Sequence, residues 1–258
     1  MNSPANRDKP AAALTPGKSV RETPIAMEET FQLLTDKPRP AQLSRSVERA
    51  AEVLDSALLA RLRTLSEAWG VPLTDVVLAG FAVLLSRYTG EEEVAIMLGG
   101  SPRTAGGEAK KRVAHIRIGD DDGFLKVLRR TEEAKACAAE TAESASSVGF
   151  WSSSSSKAEL RPSEKLALDV ALFVEDAKPE AKLFLDYSPD LFEAATPKRL
   201  LRGLHSVLAG AVANPETPVR QLPILSEAER ATILYDWNRT ESDVWHGQCL
   251  HQLFEEQA

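Results

Sequence analysis

The chain has 258 residues, 43% hydrophobic and 27% charged, which suffices for a sizeable core in one large or two small domains. A formal net charge of -7 argues against a nucleic-acid-binding surface, which needs a basic face, and no apolar run approaches the roughly 20 residues of a membrane-spanning helix. The opening stretch MNSPANRDKPAAALTPGKSV has charges and prolines but no apolar centre, so it does not read as a secretory signal, and two cysteines, Cys137 and Cys249, fit a reduced, cytosolic protein.

Residues 1–30 mix Pro, Ala, Ser and charge without periodicity and read as a disordered N-terminal segment. The prolines of TDKPRPAQ then hold the chain extended. SRSVERAAEVLD alternates loosely and reads as a strand. Asp55 or Ser56 caps a helix in which Leu58, Leu62, Leu65 and Trp69 recur at three- and four-residue steps, and Gly70 ends it. Pro72 and Thr74 open a second helix, TDVVLAGFAVLLSRYTG, apolar nearly all round and so expected to be deeply buried. EVAIMLGG is a short apolar strand of the kind found inside a sheet, and RVAHIRI alternates as another.

DDDGFLKVLRRTEEAKACAAETAES reads as a helix with acidic residues at its positive end, and the serine-rich SASSVGFWSSSSSKAELRPS reads as a loop. LALDVALFVED and AKLFLDYS form a hairpin about a turn holding Lys178 and Pro179. Asp186 and Asp190 suggest paired carboxylates at first sight, but the favoured reading is a turn that leads Leu191 and Phe192 into the core. Thr196 and Pro197 give a cap followed by a first-turn proline for a helix running to Pro215. TPVRQLPIL is an extended connector, Ser226 and Glu229 form a capping box for SEAERATILYDWN, and LHQLFEEQA starts an amphipathic helix with Leu250, Leu253 and Phe254 on one face. The element order predicts a mixed α/β protein, an α+β two-layer sandwich.

Several of these segments resemble one family. FQLLTDKPRPAQ is similar to the LPTDxPRP stretch in the middle of nonribosomal peptide synthetase condensation domains. VPLTDVVLAGFAVLLSRYTGEEEVAIMLGGSPRT resembles the helix, strand and turn that follow it there. YSPDLFEAATPKRLLRGLHSVLAGAVANPETPVRQLPILSEAE resembles the end of that domain, and WNRTESDVWHGQCLHQLFEEQA the connector into an adenylation domain. The resemblance implies one lobe of a chloramphenicol acetyltransferase-like fold. In that family two lobes enclose a tunnel for two carrier-bound thioesters. It divides the chain into residues 31–218, a truncated condensation-like lobe, and 219–258, the linker to an adenylation domain.

The catalytic HHxxxDG of that family belongs to the preceding lobe, and the second His there positions or deprotonates the amine. Here the histidines are His115, His205, His246 and His251. AHIRIGD imitates the motif around His115, but Ala114 stands for the first His and the Gly-Asp order differs, so His115 reads as an ordinary strand residue. The second-lobe signatures FVNT, HQDxPFE and RDxSRNPL are replaced by RVAHIRIGDDDGFL and AAETAESASSVGFWSSSSSK. The serines lack a G-x-S-x-G elbow, and Gly99 to Thr104 lacks a phosphate-cradling order and reads as a structural turn. No catalytic, cofactor-binding or metal-ligating residue is expected. The expected function is a non-catalytic platform for an adenylation domain in cis or trans. Its interdomain contacts would be Leu222, Ile224, Leu225, Ile233, Leu234, Trp237, Leu250, Leu253 and Phe254. Two other readings stay open. One is half of a split condensation or acyltransferase enzyme; the other is a docking protein for carrier proteins.

Overall fold

The computed structural model describes residues 31–44, 46–99, 112–140, 146–153 and 168–240, together with His251, Phe254 and Glu255. The expectations for residues 1–30, for Ser101 to Thr104, and for His246, Cys249, Leu250 and Leu253 fall outside the described residues.

Seven strands form one mixed sheet. In chain order they are β1 (Glu48–Val53), β2 (Glu93–Leu98), β3 (Arg112–Arg117), β4 (Ala139–Glu140), β5 (Val148–Ser153), β6 (Val170–Ala177) and β7 (Glu180–Tyr187). Their spatial order is β1-β7-β6-β5-β2-β3-β4, with β5 parallel to both β2 and β6 and every other pair antiparallel. Five helices accompany them: α1 (Ser56–Trp69), α2 (Leu73–Thr89), α3 (Phe124–Cys137), α4 (Ala195–Ala213) and the short α5 (Glu227–Ala231). The first four pack on one another and against one face of the sheet, giving the two layers the element order implied.

Register decides which side chains meet the helices. Side chains alternate between faces along each strand, and paired residues share a face. The row Ala50, Leu185, Leu172, Phe150 is buried throughout and lies on the same face as Glu52, which meets His205 and Arg202 of α4. The next row, Ala51, Phe184, Phe173, Trp151, lies on the other face. There Trp151 stacks on Phe173 at 5.3 Å between ring centroids, and the Arg49 guanidinium sits over Phe173 and Phe184. α2 is the core helix, buried without interruption from Val76 to Leu85 apart from its ends. Among the described residues no single helix is long and apolar enough to cross a membrane.

Local rules account for the element ends. The Asp55 carboxylate accepts the Leu58 amide at 3.0 Å and so caps α1, while Gly70 and Gly90 close α1 and α2 at φ 68° and 78°, a conformation that favours glycine. The β6–β7 hairpin turns on Lys178 and Pro179, and Leu191 and Phe192 enter the core as the sequence implied.

Three details differ from the sequence reading. β5 lies inside the stretch read as a serine-rich loop: only Val148 to Trp151 is apolar, a run too short to register between serines, yet it forms the centre of the sheet. α3 stops at Cys137, where β4 pairs with β3, although helix-forming residues continue beyond it. Thr196 does not cap α4, which begins one residue earlier; its hydroxyl instead accepts from Arg199 at 2.7 Å. Asp186 is buried on β7 and bound by Arg49 of β1 through two hydrogen bonds, at 2.5 and 3.0 Å.

The proline-rich segment is strapped across this frame. The Asp36 and Lys37 amides donate to the Leu191 carbonyl, the Asp36 carboxylate accepts the Glu193 amide at 2.9 Å, and Lys37 Nζ reaches the Pro189 carbonyl at 2.7 Å. Arg39 then pairs with buried Asp169. Prolines remove amide donors, so side chains and the flanking amides fasten the strap.

Candidate interaction surface

The connector after α4 divides into an anchored part and an unanchored part. Residues 218–224 lie against the lobe. The Val219 amide donates to the Asp122 carbonyl at 2.8 Å, and Gly123 bridges Pro218, so the turn before α3 holds the connector's backbone. From the other side Arg87, in the last turn of α2, donates through Nη1 to the carbonyls of Val219, Arg220 and Leu222 at 2.9, 2.5 and 3.3 Å. The connector also approaches α4 closely. A Cβ at Gly210 would come within 2.8 Å of Pro223, and one at Gly203 within 3.1 Å of the Ile224 carbonyl. The stretch read as simply extended thus contains a 3-10 turn, Val219–Gln221, whose Val219 is buried along with Leu222.

Asp122 organises the turn that grips the connector. Its carboxylate accepts the Gly119 amide at 2.8 Å and binds Lys126 and Arg130. Burial opposes its ionisation, but the Lys126 and Gly119 hydrogen bonds and the Arg130 charge outweigh that, and the group titrates below its ordinary value.

After Leu225 the character changes. Ser226 caps α5 by the expected capping box, and the helix opens into a π turn, Thr232–Asp236. Neither element buries a side chain. The half-buried positions are the polar Ser226, Glu229 and Thr232. The outward side carries Ile233, Leu234, Tyr235 and Trp237, the last two 71% and 72% exposed. This helix is amphipathic in reverse: its polar edge faces the lobe and its apolar edge faces water.

The nine residues named from sequence therefore separate. Leu222 is in the lobe's own core at 2% exposure, and Ile224 is partly buried against that core. Leu225, Ile233, Leu234, Trp237 and Phe254 are exposed. Three further exposed apolar residues, Leu34, Val53 and Tyr235, escaped the sequence reading. Tyr235 is turned outward by the π geometry, which three- and four-residue periodicity does not anticipate. Leu34 follows buried Leu33 in the strap, where no helical period applies, and rims a cleft of about 190 Å³ lined also by Tyr88, Phe192 and Leu200.

His115 lies on β3 facing solvent with Nδ1 3.0 Å from exposed Glu93. His205 lies on α4 beside Glu52, whose carboxyl burial pushes up against the opposing charges of His205 and Arg202. Among the described residues, no three His, Cys, Asp or Glu side chains converge as a metal site.

The sequence model of the condensation-domain family matches residues 23–114, the strap through β3. Malpibaldin synthetase of Mortierella alpina is 26% identical over 96% of this chain. The chain is similar to the condensation domains of nonribosomal peptide synthetases. It spans 5% of that relative's length. Two solved structures share its fold. A four-domain nonribosomal peptide synthetase, solved in its holo form with AMP and glycine, superposes with a TM-score of 0.73 at 18% identity, over 87% of this chain and 21% of its own. The first condensation domain of the CDA synthetase superposes with a TM-score of 0.61 at 16% identity, over 74% of this chain and 50% of its own. The mixed α/β sandwich is thus the chloramphenicol acetyltransferase-like fold that the resemblance implied.

Proposed function

We propose that this chain is a non-catalytic, condensation-like lobe of a cytoplasmic synthetase and serves as a structural platform for an adenylation domain. Residues 31–218 form the platform and 219–258 lead to the partner, joined in cis or supplied in trans. The reversed amphipathicity of residues 226–238 carries this reading. A short helix that turns Ile233, Leu234, Tyr235 and Trp237 to water leaves its apolar edge for another surface to cover. An interdomain contact of about 600–1,500 Å² would bury it.

Two measurements test the proposal. Incubated with aminoacyl-loaded carrier proteins, the chain alone should yield no dipeptidyl-carrier product, and its appearance would sink the non-catalytic reading. Joined to an adenylation domain, the chain should raise that domain's melting temperature relative to a fusion beginning at residue 221, and a Trp237→Asp variant should lose the gain. Equal melting in all three proteins contradicts a platform.

A second reading draws on the chain's spanning half of a condensation domain. It is then one half of a split amide-forming enzyme acting on carrier-bound thioesters. Dipeptide formation that needs both this chain and a separate chain bearing HHxxxDG distinguishes the two.

A further inference from the structure

The boundary between anchored and unanchored connector falls at Leu225. Up to Ile224 the chain is held by Arg87, by the turn before α3 and by burial of Leu222. Beyond it, among the described residues, one side-chain bond crosses from Ser226–Asn238 to the lobe: Glu229 Oε1 meets Arg202 Nη1 of α4 at 3.0 Å. The other oxygen of the same carboxylate, Oε2, accepts from the Ser226 amide at 3.1 Å and the Ser226 hydroxyl at 2.9 Å, closing the capping box. The remaining bonds are internal, such as Asn238 Nδ2 to the Ile233 and Leu234 carbonyls at 3.1 and 3.0 Å. Five α-helical residues followed by a five-residue π turn fall short of the roughly 12–15 residues that hold a helix unaided in water.

We infer that Ser226–Asn238 is an order–disorder latch hinged at Leu225, folded onto α4 through the divided carboxylate of Glu229. Because one group both caps the helix and grips Arg202, losing the grip frees the carboxylate that completes the cap, so detachment and unwinding are coupled. Latched, the segment aims Tyr235 and Trp237 in one direction; released, it becomes a flexible tether beginning at residue 225. The inference concerns this chain's own residues and does not depend on what covers the apolar edge.

Hydrogen–deuterium exchange on the full 258-residue chain tests it. In Arg202→Gln, amides across 226–238 should exchange about two- to fivefold faster, the range of an exposed ion pair, while α4 and β7 keep their protection. Unchanged exchange in 226–238 overturns the latch, since the cap and backbone would then hold the segment alone. If Arg202→Gln also loosens α4, Glu229→Gln decides, because glutamine keeps an acceptor for the cap and removes the charge. A rise confined to 226–238 in that variant supports the latch, and any other pattern overturns it.

Discussion

Arg39 and Asp169 meet from 130 residues apart, with Nη1 to Oδ1 at 2.9 Å and Nη2 to Oδ2 at 2.6 Å. The carboxylate side chain is 1% exposed and its partner 37%. This one pair ties the strap to the start of β6. Removing Arg39 leaves a buried carboxylate without its cation. We expect Arg39→Ala to cost about 2–3 kcal/mol in urea unfolding, below the full penalty for a broken buried pair because the guanidinium is partly solvated. Adding Asp169→Asn to that variant should recover part of the loss. A double variant no more stable than Arg39→Ala alone would show that Asp169 is held by other groups.

Arg87 presents a different balance, since among the described residues it neutralises no carboxylate and serves three carbonyls instead. Arg87→Ala should destabilise the chain by about 1–3 kcal/mol and raise amide exchange at Val219 and Leu222. Arg87→Lys should restore little, because an ammonium cannot spread its donors along a 3-10 turn as a guanidinium does.

Gly149 and Gly99 lie beneath the Trp151 ring, where an added Cβ would fall 2.1 and 1.4 Å from it. Gly149→Ala and Gly99→Ala should each cost about 1–3 kcal/mol by overpacking, seen as a lowered melting temperature. The near-ultraviolet circular dichroism of the Trp151–Phe173 stack should change with them.

The connector residues divide by burial, and mutation should divide them the same way. Leu222→Ala is expected to cost about 2–5 kcal/mol as a core truncation, and Trp237→Ala to leave stability within about 0.5 kcal/mol. A large loss on truncating Trp237 would mean that it packs on the lobe after all.

Stability should fall at both extremes of pH. Glu229 and Asp122 titrate below their ordinary 4.5 and 3.8, so their contribution is complete above those values and fades as pH falls through the lower folded ones. For Glu229, burial is outweighed by the Ser226 hydrogen bonds and the charges of Arg202 and Arg199. Tyr187 behaves oppositely. Burial first, then the hydrogen bond it donates to Glu48 at 2.6 Å, push its phenol up from 10.0 to about 12, so its contribution is complete below pH 10 and is lost as pH rises through 12. Urea titrations across pH check this: Asp122→Asn should flatten the acid limb and Tyr187→Phe the alkaline one.

What the amino-acid sequence determined by itself was local. The steps of Leu58 and Leu62, the left-handed stops at Gly70 and Gly90, the Ser226 capping box and the hairpin at Lys178–Pro179 all depend on neighbours within a few residues, and each stands where periodicity and turn chemistry put it. The resemblance of FQLLTDKPRPAQ and its successors was legible for the same reason, as contiguous text. Only the tertiary structure decided the rest. It made Val148–Ser153 a central strand because β2 and β6 flank it on both sides, a fact no six-residue window contains. It made Leu222 core and Trp237 surface because Gly203 and Gly210 let α4 draw one part of the connector inward, while among the described residues no apolar surface of the lobe covers the other. It also joined Arg39 to Asp169 and Arg49 to Asp186, since a charge finds its partner through space, and the chain places those partners more than a hundred residues away.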